Sequence, residues 1–191
     1  MKVIKKINQI NLRGKRVLIR VDFNVPMNGN KISSDFRLKA SMETIKYCIE
    51  EKSKIIIMSH LGRPESVDKN LSLIPVYNYL KKYFNKNNVI FSENCISEKS
   101  IDESKRLNDT DIHLLENLRY HRGELNNSKN FAFKLSQHGE IYVNDAFGTS
   151  HRSHASNSSI LAFFKEKCFG FLMDKELSYL TQLKLDKKFG I

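Results

Sequence analysis

Four arginines, three histidines and the triplet Asp22-Phe23-Asn24 carry most of the chemistry open to this 191-residue chain. Arg37, Arg63, Arg119 and Arg152 each fall beside the end of an apolar run or the start of a helical pattern, and His60, His151 and His154 fall in the same stretches. A guanidinium fork grips phosphate or carboxylate through two parallel hydrogen bonds, which an ammonium group cannot imitate. Asp22 and Asn24, flanking Phe23, add acceptors suited to hydroxyl groups. More arginines gather than one phosphate needs, so the expected ligand is small with two anionic ends. Arg37 falls in the first turn of an expected helix, where a cation opposes the helix dipole. An anion held at that terminus accounts for the placement, the alternative being an arginine tolerated in solvent.

These residues run from position 22 to position 152, so the fold has to gather them. Five short apolar runs precede them: 16–23 (RVLIRVDF), 54–59 (KIIIMS), 89–92 (VIFS), 111–116 (DIHLLE) and 140–146 (EIYVNDA). Helical spacing follows across 33–51 (Leu38, Met42, Ile45, Ile49), 73–84, 97–107 and 126–137. Alternation of this kind predicts an α/β fold: a doubly wound, Rossmann-like parallel sheet in three αβα layers. Ligands of such sheets bind beyond the carboxyl ends of the strands. Asn28-Gly29-Asn30 reads as a tight turn. In the loop after the second run, Leu61 and Gly62 separate His60 from Arg63, and glycine there permits close backbone approach to a ligand. A last amphipathic helix is expected over 174–185, with Leu177, Leu180 and Leu183 on one stripe. Left uncovered, that stripe would favour self-association.

A net charge of +11 implies an acidic partner: a phosphorylated metabolite, nucleic acid or an anionic membrane. No stretch of about 18 apolar residues is present, which excludes a membrane-spanning helix. The three cysteines (Cys48, Cys95, Cys168) are far apart and odd in number, as expected of reduced thiols in a cytoplasmic protein. His151 and His154 lack the paired cysteines of a zinc site. No glycine-rich nucleotide cradle and no nucleophile elbow occur. Nucleic-acid binding fits the charge but lacks an aromatic-plus-basic strand signature, and Phe23, Phe147, Phe163 and Phe164 read as core.

The same residues also resemble a known family. Arg20-Val21-Asp22-Phe23-Asn24-Val25-Pro26, Ser59-His60-Leu61-Gly62-Arg63-Pro64, Leu114-Leu115-Glu116-Asn117-Leu118-Arg119 and residues 143–152 (VNDAFGTSHR) are similar to phosphoglycerate kinase, in that family's order and spacing. Ser34-Asp35-Phe36-Arg37-Leu38 resembles its Asp-x-Arg-Ile segment, with Leu for Ile, and residues 170–177 resemble the start of its interdomain helix. The resemblance implies a monomeric glycolytic enzyme that exchanges the acyl phosphate of 1,3-bisphosphoglycerate with ADP, using magnesium. Carried over by position, Asp22, Phe23 and Asn24 would touch the glycerate hydroxyl and carboxyl. His60, Arg63, Arg119 and Arg152, with the Leu61-Gly62 backbone, would hold the non-transferring phosphate, and Arg37 would stabilise the transferring group. The family is about twice this length. Residues 1–171 therefore read as its 3-phosphoglycerate-binding domain and 172–191 as the start of the interdomain helix. The ATP, ADP and magnesium sites would then belong to a nucleotide domain not in this chain, which alone would bind substrate without catalysing. The rival expectation is a non-enzymatic basic module for nucleic acid or a partner protein.

Overall fold

The computed structural model describes residues 5–185. Its strands are β1 (Lys5–Lys6), β2 (Arg16–Val21), β3 (Met27–Asn28), β4 (Lys31–Ile32), β5 (Lys54–Met58), β6 (Val89–Ser92), β7 (Ile112–Leu115), β8 (Ile141–Asp145) and β9 (Glu166–Phe169). Seven of these form one all-parallel sheet in the order β1-β9-β8-β2-β5-β7-β6. The helices are α1 (Phe36–Ala40), α2 (Met42–Glu50), α3 (Ile74–Tyr83), α4 (Glu98–Lys105), α5 (Arg122–Leu125), α6 (Lys129–Ser136) and α7 (Phe171–Leu185).

The continuous apolar runs in β2 and β5 are explained by burial on both sheet faces. On one face Val17, Ile19, Val21, Ile55, Ile57 and Val143 pack with Met42 and Ile45 of α2 and Val76 and Leu80 of α3. On the other, Leu18, Ile56, Met58 and Tyr142 pack with Phe131, Ala132 and Leu135 of α6. This is the expected doubly wound, three-layer arrangement. After β2 the chain forms β5 beside it, runs to β6 at the sheet edge and returns to fill β7 between them, then crosses to β8 on the opposite side of β2. The order therefore reverses at β2, and the crevice for a ligand opens at its carboxyl end.

Several local expectations need correction. The helix expected over 33–51 is interrupted at Ser41, whose ψ has drifted to −4° and whose N–H returns to Leu38 O, three residues back, at 3.1 Å. The helix expected over 126–137 begins at Lys129, because Asn127 adopts a φ of +51° and Ser128 Oγ caps Phe131 N–H. Helix α5 before it, and the strands β1 and β9, were not anticipated. The apolar segment 168–173 is divided: Cys168 and Phe169 end β9, while Phe171 opens α7 earlier than expected. Phe23 and Phe164 are core residues, but Phe163 is 41% exposed, edge-on to the still more exposed Phe133. The Asn-Gly turn is present as the β3–β4 hairpin, with Gly29 at φ +55°.

Helix α7 is fastened where it starts. Asp145 Oδ1 accepts Met173 N–H at 3.1 Å, and Thr44 Oγ1 accepts Phe171 N–H at 3.0 Å. Burial pushes the Asp145 carboxyl up to about 6. Leu177 is half-buried and Leu180 exposed; the side chain of Leu183 and residues 186–191 lie outside the described residues. No helix among the described residues is long and apolar enough to cross a membrane.

Candidate functional site

The loops after β2, β5, β7 and β8 border the crevice, and side-chain hydrogen bonds lock the first three together. Ser59, just past β5, donates to Val21 O at 3.0 Å and accepts Phe23 N–H at 2.9 Å, tying the ends of β2 and β5. This bond fixes the Asp22-Phe23-Asn24 loop, whose phenylalanine ring is fully buried. Asn24 Oδ1 accepts Gly62 N–H at 2.9 Å. Asn117, fully buried past β7, accepts Leu61 N–H at 3.2 Å and donates to Leu61 O at 2.7 Å and Leu71 O at 2.8 Å. Gly62, at φ +64°, exposes its carbonyl to the Arg119 guanidinium at 2.5 Å. A side chain at Gly62 would be strained by that φ alone.

Between these loops and the segment after β8 lies a cleft of about 730 Å³, lined by Arg63, Pro64, Glu65, Arg119, Arg122, Leu125, Asn126, His151 and Arg152. Arg63, Arg122 and Arg152 form no ion pair among the described residues. Arg119 is 5% exposed, and its Nε is buried without a hydrogen-bond partner. Burial, reinforced by Arg152 and Arg20, lowers its pKa to about 10, so it stays charged at neutral pH. The structure thus brings Arg63, Arg119 and Arg152 together, as expected, and adds Arg122.

Arg37 sits apart from that lining. It is paired with Asp22, so the anion that its helix position called for is supplied, at least in part, by the protein itself. The pair borders Gly148 on the loop after β8: a Cβ there would lie 2.8 Å from Asp22 Oδ2 and 3.8 Å from Arg37. His60 adds no charge to the site. It is 2% exposed, and burial together with Arg20, Arg119 and Arg152 drives its pKa far down, so the ring is neutral. Its Nδ1 accepts from Arg20 at 3.1 Å, which leaves the proton on Nε2. His154 is half-buried, 3.8 Å from Glu124.

Sequence reasoning missed the floor of the crevice. Arg20, fully buried inside β2, donates to Ser156 Oγ at 3.0 Å, to His60 and to Val21 O. Ser156 in turn donates its hydroxyl and its N–H to the carboxylate of the fully buried Glu124, at 2.6 and 2.9 Å. Burial lowers the Arg20 pKa and Glu124 opposes that effect. The available signal was Arg20 itself, a charged residue in an otherwise apolar central strand.

A protein-family model described as phosphoglycerate kinase matches residues 7–188. The chain is 45% identical over 179 residues to a Hydrogenobaculum phosphoglycerate kinase, covering 93% of this chain and 45% of that relative. It is also 45% identical over 185 residues to the Helicobacter pylori phosphoglycerate kinase, covering 95% of the chain and 45% of the relative. The solved phosphoglycerate kinase of Coxiella burnetii superposes with a TM-score of 0.84 at 35% identity, over 94% of this chain and 45% of that one. That of Pyrococcus horikoshii OT3 gives 0.84 at 31%, over 95% and 46%. The chain spans less than half the length of these relatives.

Proposed function

The chain belongs to the phosphoglycerate kinase family, and from that premise we propose that it is the 3-phosphoglycerate-binding portion of such an enzyme, holding 3-phosphoglycerate or 1,3-bisphosphoglycerate in the crevice at the end of β2. Phosphoryl transfer asks a protein mainly for positioning and charge neutralisation. Arg63, Arg119 and Arg152 hold the phosphate that is not transferred, and neutral His60 donates from Nε2. Asp22 and Asn24 meet the hydroxyl and carboxyl groups. Arg37, on release from part of its pairing with Asp22, stabilises the group in flight. Magnesium with ADP or ATP, bound by residues outside this chain, supplies the phosphoryl acceptor or donor and screens its charge. Alone, the chain binds substrate without transferring phosphate.

One observation carries this reading. Arg119 is buried, charged at neutral pH, and keeps an unpartnered Nε while lining a cleft with three further guanidiniums. An unpaired buried donor on a cation costs the fold free energy that an anionic ligand returns. Calorimetric titration with 3-phosphoglycerate tests the proposal. Saturable binding is expected, weakened about tenfold or more by Arg63→Ala or Arg152→Ala, since each removes a charge-assisted bond. No saturation, or equal affinity in both variants, overturns it.

A further inference from the structure

We infer that Arg122 is a further phosphate-binding residue of the cleft, a fourth guanidinium that closes around the phosphate of the glycerate ligand; the inference rests on the substrate reading above. Arg122 opens α5 and lines the same 730 Å³ cleft as Arg63, Arg119, His151 and Arg152. Glu65 is the single acidic residue in that lining. The nearest acid in sequence, Glu124, is turned inward, fully buried and bonded to Ser156. Arg122 therefore has no ion-pair partner among the described residues. Mutual repulsion would drive a flexible, solvated guanidinium away from three others unless an anion rewards its presence.

The backbone also holds Arg122 in place. The next residue, Gly123, lies so close to α6 that a Cβ would sit 2.8 Å from Phe131 Cβ. Glu124 O accepts Ala155 N–H at 2.9 Å, fastening α5 to the segment that carries Arg152. Arg122 and Arg152 are thus carried on segments tied to each other, in a cleft that Arg63 also lines. A buried Arg119 with an unpartnered Nε lies in the same cleft, an independent sign that an anion belongs there.

The test is 3-phosphoglycerate titration of the 191-residue chain carrying Arg122→Gln or Arg122→Lys, beside Arg63→Ala. The glutamine variant should lose about tenfold in affinity, and lysine should restore only part of it, because an ammonium cannot fork onto two phosphate oxygens. The loss should grow as pH rises through the second phosphate ionisation at about 6. Arg122 is exposed, so folding is spared. Wild-type affinity in Arg122→Gln, with Arg63→Ala still impaired, overturns the inference and leaves the substrate reading intact. Full recovery by Arg122→Lys also overturns it, since Arg122 would then act through its field alone. No binding by the unmodified chain sinks both.

Discussion

Breaking the buried charge pair beneath the crevice should cost the fold more than any loss at its rim. Arg20 and Glu124 are both fully buried and communicate through the Ser156 hydroxyl, 3.0 Å from one and 2.6 Å from the other. Their charges stand roughly 5 Å apart, and at an effective dielectric constant of about 20 that separation gives about 3 kcal/mol of attraction. Glu124→Gln removes the charge that offsets Arg20, keeps the volume and strands the guanidinium. The expected loss is about 3 to 5 kcal/mol, as for other buried pairs deprived of one member. For a chain of this size that corresponds to a melting-point drop on the order of 6 to 20 °C. Arg20→Met should cost a similar amount. The double variant should cost clearly less than the two losses combined, since neither charge is then left alone. Urea denaturation at pH 7, followed by circular dichroism, measures all four corners of this cycle. If Glu124→Gln lies within about 0.5 kcal/mol of the parent, or if the two losses add, the pair is not what holds the crevice floor.

Acid should weaken the fold from below pH 6.5. His113 lies between Ser92 and Ser104 at 2.7 and 2.8 Å, and His138 joins Ser104 at 2.6 Å and Cys95 O at 3.0 Å. Burial depresses the two rings to about 4 and about 3 from 6.5. Folded values below the unfolded one mean that the unfolded chain takes up protons first. Stability is therefore complete above pH 6.5 and falls as pH drops toward the folded values, by about 2 kcal/mol or more between pH 7 and 5. Urea midpoints across that range check it, and a flat profile would refute the buried neutral rings. Gly62→Ala should destabilise by about 1 to 2 kcal/mol, because φ is +64° and the added Cβ would meet Leu71 at 2.6 Å. The same variant should weaken 3-phosphoglycerate binding several-fold by displacing the carbonyl that holds Arg119; unchanged affinity would show that this contact does not position the arginine.

What the sequence made legible follows from the physics of each segment. The runs RVLIRV and KIIIM announce central parallel strands because only two-sided burial tolerates consecutive apolar residues, and the loops after them had to converge. Strand β9 was hidden by Glu166 and Lys167, and β1 is two lysines, so neither shows a hydrophobic period. The break at Ser41 was invisible because Leu38, Met42 and Ile45 keep helical spacing across it. Glu124 could not be found at all: its neighbours Arg122, Leu125 and Asn126 are exposed, and only the docking of α5 turns that carboxylate inward. Arg37 was singled out as needing an anion, and the one it meets among the described residues, Asp22, is fifteen residues earlier and set there by tertiary structure.

Arg20 is among the largest fully buried side chains of the protein and lies in the sheet's middle strand. An engineer seeking a more heat-resistant variant would be drawn to exchange it, together with Glu124, for well-packed hydrocarbon. That exchange would take away the support under His60. In this chain, thermal hardening and ligand recognition compete for one position, so screens for robustness need a binding assay run beside them.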